Sequence, residues 1–467
     1  MIALTLAEVA SAVGGTLDGA DPDALVTGPV EVDSRKVSPG GLFVAFVGEH
    51  VDGHDYATTA VEAGAVAVLA SRPVGVPAVL VDNVVEALGR LARAVVARAE
   101  GTAVVALTGS AGKTSTKDLI AQLLQRHGET VFPPGSLNNE IGHPMTALRV
   151  EAGTRHLVME MGARHKGDIE YLTSITPPRI GLVLNVGTAH VGEFGSQEAI
   201  AEAKGELVEA LPADGAAILN ADDRLVRAMA SRTRAKVVLF GESQDAHVRA
   251  TDVRLDATGR PSFTLTTPAG SAPVQLRLYG EHHVSNALAA AAVATELGMS
   301  VDDTAAALGE AGALSRWRME VVDRADGVTV VNDAYNANPD SMRAALRALV
   351  SMGGRGPERR RTWAVLGEMR ELGEESLAEH DAIGRLAVRL DVTKLVAVGG
   401  REAACMELGA RNEGSWGEES VLVSDADAAV ELLRSQLRPG DVVLVKASRS
   451  VGLEKVAEAL LADGAAR

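Results

Sequence analysis

A glycine-containing turn between a strand and a helix places the strongest constraint on this 467-residue chain. The apolar run 104–107 comes first, and Thr-Gly-Ser-Ala-Gly-Lys-Thr-Ser follows at 108–115, where a helix-like stretch begins. Glycines let backbone N–H groups surround phosphate, while Lys113 reaches the terminal phosphates and Thr114 holds Mg²⁺. An ordinary turn with a solvated lysine is the alternative. We expect ATP at Gly109, Ser110, Ala111, Gly112, Lys113, Thr114 and Ser115.

Strand-like runs alternate with amphipathic helical stretches along most of the chain, which predicts an α/β fold with largely parallel sheets. The segment 251–278 breaks this rhythm with strict alternation and Pro/Gly punctuation, and it predicts an antiparallel annex. We expect three domains. They are a smaller N-terminal α/β domain at 1–100, a central P-loop-type domain with a mostly parallel sheet at 101–313, and a Rossmann-like α/β domain at 314–467.

Composition narrows the class of protein. One cysteine excludes an intramolecular disulfide and fits a reducing compartment, so we expect a cytoplasmic protein. A monomer is a separate expectation. No apolar run reaches the roughly 18 residues of a membrane span. The net charge of −17 disfavours nucleic-acid binding. The only dense basic run, Arg359–Arg361, is expected to lie in a solvated loop.

Polar residues follow two predicted strands of the central block. Glu160 comes directly after the run 157–159, and His190 lies a few residues beyond the run 182–184. Open α/β sheets bind ligands at the carboxyl ends of their strands, so both side chains could face the loop phosphates and hold metal. Taken singly, each could be a strand-end polar group satisfied by the backbone. By composition alone, Lys204 is an ordinary surface lysine.

Several further motifs, together with a shortened phosphate loop in which Leu107 stands at the usual first glycine, give the chain a family resemblance. It resembles the Mur ligases, ATP-dependent enzymes that form peptide bonds, and the resemblance covers the whole chain. The shortened loop is also seen in folylpolyglutamate synthetases. The motifs lie at 135–144, 160–163, 189–196, 219–223, 332–339, 366–373 and 445–450.

The resemblance implies a ligase that joins D-alanyl-D-alanine to UDP-N-acetylmuramoyl tripeptide, with ATP and Mg²⁺, in cytoplasmic peptidoglycan precursor synthesis. The tripeptide carboxylate would be activated as an acyl phosphate. The resemblance further implies that Lys204 is carbamylated, which would make it an anionic metal ligand. The implied catalytic residues are Lys113, Glu160, His190 and Lys204, and the implied metal ligands are Thr114, Glu160, His190 and Lys204. Whether the third tripeptide residue is lysine or diaminopimelate stays open.

Further binding residues follow from the same resemblance. Those for the UDP substrate are Asp33, Ser34, Arg35, Asn138 and Asn139, and those for the nucleotide are Asn286, Arg318, Asp333, Tyr335 and Asn336. A polar loop before a strand would also account for 33–35, a helix cap for Asn286, and an interdomain salt bridge for Arg318.

Two other functions compete. One is a related ligase that adds glutamate to folate or a single amino acid to the muramoyl chain. The other is an ATP-dependent conformational switch that forms no peptide bond. A switch needs the phosphate loop but neither the metal cluster nor the segment 135–144.

Overall fold

The computed structural model describes residues 1–48, 50–187, 191–415 and 417–465. The elements of the N-terminal domain are β1 (Leu4–Thr5), α1 (Leu6–Val13), β2 (Thr16–Asp18), β3 (Leu25–Val26), β4 (Val30–Glu31), β5 (Gly41–Val44), α2 (Ala57–Glu62), β6 (Ala65–Ala70), β7 (Ala78–Leu80) and α3 (Val84–Arg98). The sheet has the order β2-β7-β6-β5-β4 and is parallel except for β2. Asn83 begins α3, because its Oδ1 accepts hydrogen bonds from the N–H groups of Val85 and Glu86.

The central domain contains the longest sheet. Its elements are β8 (Ala103–Thr108), α4 (Lys113–Gln125), β9 (Thr130–Val131), α5 (Gly142–Ala147), β10 (His156–Glu160), α6 (Asp168–Ile175), β11 (Ile180–Val183), α7 (Val191–Phe194), α8 (Gln197–Glu209), β12 (Ala216–Asn220), α9 (Arg224–Ala228), β13 (Lys236–Gly241), β14 (Val248–Leu255), β15 (Pro261–Thr267), β16 (Gly270–Gln275), α10 (His282–Glu296) and α11 (Val301–Glu310). The order is β16-β15-β14-β13-β12-β11-β8-β10-β9. Strands β9 to β14 and β8 pair in parallel, whereas β15 and β16 pair antiparallel, which confirms the predicted annex.

The C-terminal domain contains a six-stranded sheet. Its elements are β17 (Glu320–Asp323), β18 (Thr329–Asn332), α12 (Pro339–Gly353), β19 (Thr362–Leu366), α13 (Ser376–Arg389), β20 (Lys394–Val398), α14 (Arg401–Glu413), β21 (Ser420–Val423), α15 (Ala426–Gln436), β22 (Val442–Lys446) and α16 (Glu454–Ala465). The order is β17-β18-β22-β19-β20-β21, with only β17 antiparallel. The predicted α/β architecture, with a mostly parallel central sheet, is confirmed.

The basic run 359–361 lies in the loop directly before β19, as expected, but its side chains are half-buried and paired rather than fully solvated. Arg361 forms two hydrogen bonds to the buried carboxylate of Asp441, and Arg360 donates to the hydroxyl of Thr329 and to the carbonyl of Gly440. These arginines therefore tie β19 to neighbouring strand ends. In the described part of the chain, no helix is both long and apolar enough to cross a membrane.

One apolar core joins the N-terminal and central domains. Leu88 and Leu91 of α3 are fully buried in the same cluster as Leu157 and Met159 of β10. Gly89 allows a close approach of α3 to α6, because a Cβ there would meet Tyr171 Oη at 3.0 Å. The N-terminal domain is thus packed against the central sheet by ordinary hydrophobic burial.

Candidate active site

The phosphate-binding turn lies between β8 and α4, at the carboxyl end of the third strand from one edge of the central sheet. Gly112 has φ +80°, and a Cβ there would lie 2.7 Å from Asn286 Oδ1, so both backbone conformation and space require glycine. Lys113 Nζ donates to the Gly109 carbonyl at 2.8 Å. Burial lowers the pKa of Lys113, and the nearby charge of Glu160 opposes that shift. The lysine therefore lies folded over the turn where phosphates would bind.

Asn185, which directly follows Leu184 after β11, fixes the shape of this turn. Its Oδ1 accepts from the N–H groups of Ser110 and Ala111 at 2.9 and 2.8 Å, and its Nδ2 donates to the Ala111 carbonyl at 3.0 Å. The amide thus pairs with three backbone groups of the loop. Sequence reasoning gave Asn185 no role, although its place at a strand end beside the loop was a usable signal.

Glu160 ends β10 and is fully buried. Its Oε1 accepts from Ser136 Oγ at 2.9 Å and from Asn138 Nδ2 at 2.8 Å. Its Oε2 has no hydrogen-bond partner among the described residues. A buried carboxylate oxygen without a partner is costly, and a divalent cation would satisfy it. Asn139 lies elsewhere, because its Oδ1 accepts from Gly142 N at the start of α5.

Lys204 lies on α8 with only 3% of its surface exposed, so the expectation of an ordinary surface lysine was wrong. The physical reason is helical periodicity, since Lys204 lies one turn after the buried Ile200 and one turn before the buried Leu207. Burial lowers the pKa of Lys204 well below its ordinary value, and the charge of Lys113 lowers it further. This favours a neutral amine. The expected partner His190 lies outside the described residues.

Arg318 of the C-terminal domain reaches the nucleotide loop. Its Nη2 donates to Thr114 Oγ1 at 3.1 Å, its guanidinium lies 4.2 Å from the centre of the Tyr335 ring, and its Nε is buried without a partner among the described residues. Trp317 and Met319 on either side have φ of 59° and 52°, a strained conformation for residues other than glycine. Arg318 contacts a hydroxyl and a ring here, with no interdomain carboxylate recorded as its partner in the described residues.

The other predicted C-terminal residues gather nearby. Asp333 Oδ2 accepts from Lys446 Nζ at 2.6 Å, and the same ammonium donates to the Asn336 carbonyl at 2.8 Å. Asp333 Oδ1 accepts from the N–H of Met319 at 3.1 Å. Lys446 lies in the motif at 445–450, but the sequence predicts no role for this lysine. The structure makes it the buried counter-ion that fixes Asp333.

The N-terminal triad has a different environment. Arg35 is 87% exposed, and its guanidinium pairs with both carboxylate oxygens of Asp33 at 2.8 Å. The hydrogen bonds from Arg35 lower the pKa of Asp33 to about 2. Ser34 begins the short 3₁₀ helix that carries Arg35. An exposed, pre-oriented guanidinium of this kind is available to an anionic ligand.

Three family models match successive parts of the chain. They describe the Mur ligase family catalytic domain at 29–100, the Mur ligase middle domain at 107–294 and the Mur ligase glutamate ligase domain at 317–449. The UDP-N-acetylmuramoyl-tripeptide--D-alanyl-D-alanine ligase of Mycobacterium tuberculosis strain H37Rv is 53% identical, over 99% of this chain and 98% of that protein. The chain belongs to the Mur ligase family.

Solved structures agree with this membership. MurF from Acinetobacter baumannii has a TM-score of 0.88 at 30% identity, covering 98% of this Mur ligase and 99% of that chain. The MurF ligase of Thermotoga maritima in complex with ADP has a TM-score of 0.81 at 30% identity, covering 95% and 99%. The overall domain arrangement of the chain is therefore one found in solved MurF structures.

Two buried oxygen atoms of this Mur ligase are of the kind that a hard divalent cation accepts. The described residues contain no cluster of three or more His, Cys, Asp or Glu side chains that could hold a metal. What they offer is the unpartnered Oε2 of Glu160, the buried hydroxyl of Thr114 and the buried amine of Lys204. The first two are oxygen donors that Mg²⁺ accepts, and the amine becomes one only if it is chemically converted.

Proposed function

We propose that this Mur ligase joins D-alanyl-D-alanine to UDP-N-acetylmuramoyl tripeptide in peptidoglycan precursor synthesis, with ATP as the energy source. The observation that carries the proposal is the cluster of Lys113, Glu160, Lys204 and Arg318 around one phosphate-binding turn, in a chain whose full-length relatives are named for this activity. The T. maritima relative was solved with ADP, which supports the nucleotide assignment.

The reaction has two balanced steps. A carboxylate oxygen of the tripeptide attacks the γ-phosphorus of ATP, the bond to the β–γ bridging oxygen breaks, and ADP leaves. The amine nitrogen of D-alanyl-D-alanine then attacks the acyl carbon, phosphate leaves, and the nitrogen loses a proton. Lys113 and Arg318 supply the positive charge that lets two anions meet, and the buried site excludes water from the acyl phosphate.

Mg²⁺ belongs to this proposal, held by Thr114, Glu160, His190 and Lys204. When bound, it would neutralise charge on the transferred phosphoryl group. Ser136 and Asn138 orient Glu160 by donating hydrogen bonds to its Oε1, which leaves Oε2 for the metal ion. We propose that Asn138 contributes to substrate binding by orienting the Glu160 carboxylate. We propose that Asn139 contributes by fixing the loop before α5, which contacts the substrate.

We propose that Lys204 works as a carbamate. Its neutral amine attacks the carbon of CO₂ and forms a nitrogen–carbon bond, while one carbon–oxygen π bond breaks and its electron pair moves to oxygen. The nitrogen then releases a proton. The lowered pKa favours this chemistry, because only the unprotonated amine is nucleophilic. The product is an anion beside Lys113, whereas an unmodified ammonium there would repel both Lys113 and the metal.

Replacement of Lys204 tests the carbamate. Lys204→Ala should be nearly inactive and partly recovered by millimolar formate or acetate, which supply the missing carboxylate. Lys204→Arg keeps a positive charge and should stay inactive. Activity of the arginine variant, with no recovery of the alanine variant, would assign an unmodified cation to this position.

The remaining roles divide between the outer domains. We propose that Asp33, Ser34 and Arg35 bind the UDP end, and that Asn286, Asp333, Tyr335 and Asn336 complete the nucleotide site with Arg318. The boundaries at 100/101 and 313/314, a monomeric state and a cytoplasmic location belong to the same proposal. Arg35→Ala should raise the apparent KM for the UDP substrate about tenfold and leave that for ATP within twofold, since a charged hydrogen bond is lost only there.

Phosphate release from ATP tests the activity itself. The assay uses UDP-muramoyl tripeptides that end in lysine or diaminopimelate, with and without D-alanyl-D-alanine, and mass spectrometry identifies the product. Dependence of phosphate release on the dipeptide, with a product heavier by the dipeptide residue mass, is expected. Product formation with glutamate and a folate, or with a single amino acid, would support a related ligase. ATP binding with no peptide product from any of these would support a conformational switch.

A further inference from the structure

Helix α4 does more than begin at the nucleotide loop, because it also holds the linker that leads into the C-terminal domain. Gln122 Nε2 donates to the Gly312 carbonyl at 2.9 Å, and Gln122 Oε1 accepts from the Gly312 N–H at 3.0 Å. Both ends of one side-chain amide therefore pair with the backbone of one linker residue. Because both the donor and the acceptor of this amide pair with Gly312, the linker is held here at a single register.

A second anchor lies one helical turn closer to the loop. Asp118 Oδ2 accepts from the N–H of Ser315 at 3.0 Å, and Asp118 is 5% exposed. The carboxylate is itself held in place, because Lys117 Nζ lies 2.5 Å from its other oxygen. Lys117 also donates to the Pro133 carbonyl at 2.9 Å. This anchor is therefore part of a buried charged network.

The third contact between α4 and the linker is made by Arg318 itself. Thr114, Asp118 and Gln122 are spaced by four residues, so they lie on one face of α4, and they contact Arg318, Ser315 and Gly312 respectively. The linker thus runs antiparallel along the helix towards the nucleotide loop. The strained backbone at Trp317 and Met319 comes after the two anchors and before β17. Because the two anchors fix the path of the linker before this turn, they determine where the Arg318 side chain lies.

We propose that Asp118 and Gln122 are positioning residues, which place Arg318 at the nucleotide loop by fixing the linker along α4. The proposal rests on the proposed function insofar as Arg318 acts on the nucleotide. Neither residue contacts the reacting atoms. Their effect on the reaction is transmitted by Arg318, and this separates them from a simple tether between two domains, whose loss would not depend on the arginine.

A double-mutant cycle between Gln122 and Arg318 tests the proposal. Gln122→Met keeps side-chain volume but removes the hydrogen bonds to Gly312, and Arg318→Ala removes the group that is positioned. Gln125→Met is the matched control, since Gln125 is an exposed residue of the same helix. For each variant, kcat/KM for ATP, the apparent KM for the UDP substrate, the Kd for ADP and the melting temperature are measured.

We expect Gln122→Met to lower kcat/KM for ATP about tenfold, with the KM for the UDP substrate within about twofold of wild type. In the Arg318→Ala background the same change should cost less than about twofold. Gln125→Met should behave as wild type. Equal losses in both backgrounds, or no loss in either, would overturn the proposal. If wild type binds ADP but forms no peptide product, the proposed function fails, and the cycle on the Kd for ADP still decides the positioning role.

Discussion

The central domain meets its two neighbours through interfaces of opposite character. Towards the N-terminal domain it shares a continuous apolar core, in which Leu91 of α3 and Leu157 of β10 are fully buried. Towards the C-terminal domain the recorded contacts include polar and charged ones, such as Arg318 with Thr114 and Arg164 with Glu371. Apolar burial favours one fixed arrangement, whereas polar contacts exchange readily with water or with a ligand. The first interface therefore supplies stability, and the second is suited to assemble a site.

The largest effect is expected at the nucleotide loop. Lys113→Ala should lower the ligation rate about a thousandfold, because a positive charge aimed at the developing phosphoryl charge is lost. The melting temperature should stay close to that of wild type or rise, since the half-buried lysine is partly desolvated at a cost in free energy. Steady-state kinetics and thermal unfolding check the two halves. Near-normal turnover would remove Lys113 from the nucleotide site.

The apolar interface should show the reverse pattern. Leu91→Ala should lower the free energy of unfolding by about 3 kcal/mol, because it leaves a cavity in the core that joins two domains. The kcat of the folded fraction should remain within a few-fold of wild type. Chemical denaturation measures the loss, and Leu408→Ala at an exposed position is the control. A variant that melts normally but loses activity would contradict the division of roles.

Burial of unmodified Lys204 should lower the free energy of unfolding. Its pKa is lowered in the folded state, so folding releases a proton that the unfolded chain, with a pKa of about 10.4, retains. Lys204→Met should therefore be more stable than wild type in CO₂-free buffer at neutral pH. The gain should shrink by up to about 1.4 kcal/mol per pH unit as the pH rises from the folded to the unfolded pKa.

This expectation is checked by denaturing both proteins between neutral pH and pH about 10, a range that lies below the unfolded pKa of lysine. Lys455→Met, an exposed change on α16, should show no such slope. A gain that is independent of pH would mean that Lys204 stays protonated in the folded protein.

The smallest effect is expected at the rim of the polar interface. Arg164 and Glu371 form an exposed ion pair between the domains at 3.1 Å. Arg164→Ala should change the free energy of unfolding by less than about 1 kcal/mol, because solvent screens such pairs. The small difference should vanish at about 0.5 M salt. A loss that persists at high salt would show that this contact is more than a screened ion pair.

The architecture followed from the sequence where local pattern and tertiary packing agree. The buried runs at β8 and β10 were predicted because apolar strands of a parallel sheet read as continuous apolar segments. Each strand extends one residue beyond the predicted run at both ends. The antiparallel annex was predicted because a sheet with one exposed face alternates in polarity, as β15 does.

The site was harder to predict from the sequence, for physical reasons that differ between residues. The burial of Lys204 could be predicted only by knowing which face of α8 packs against the protein. The role of Asn185 could be predicted only by knowing that its strand end lies next to a loop 74 residues earlier. The buried pair of Lys446 and Asp333 spans 113 residues, which no local pattern encodes. The Arg360 and Arg361 contacts were missed because charge alone does not show which hydrogen-bond acceptors lie at neighbouring strand ends.

Asn185 has a consequence for any molecule designed to compete with ATP. Because the N–H groups of Ser110 and Ala111 already donate to its side chain, they are not free to receive an incoming anion. In the described part of the loop, the donors left over begin at Gly112, the residue that caps α4, and continue into the first turn of that helix. An inhibitor whose acidic group does not reach that turn would meet N–H groups that are already hydrogen-bonded. The length of the inhibitor should therefore matter more for affinity than the number of its negative charges.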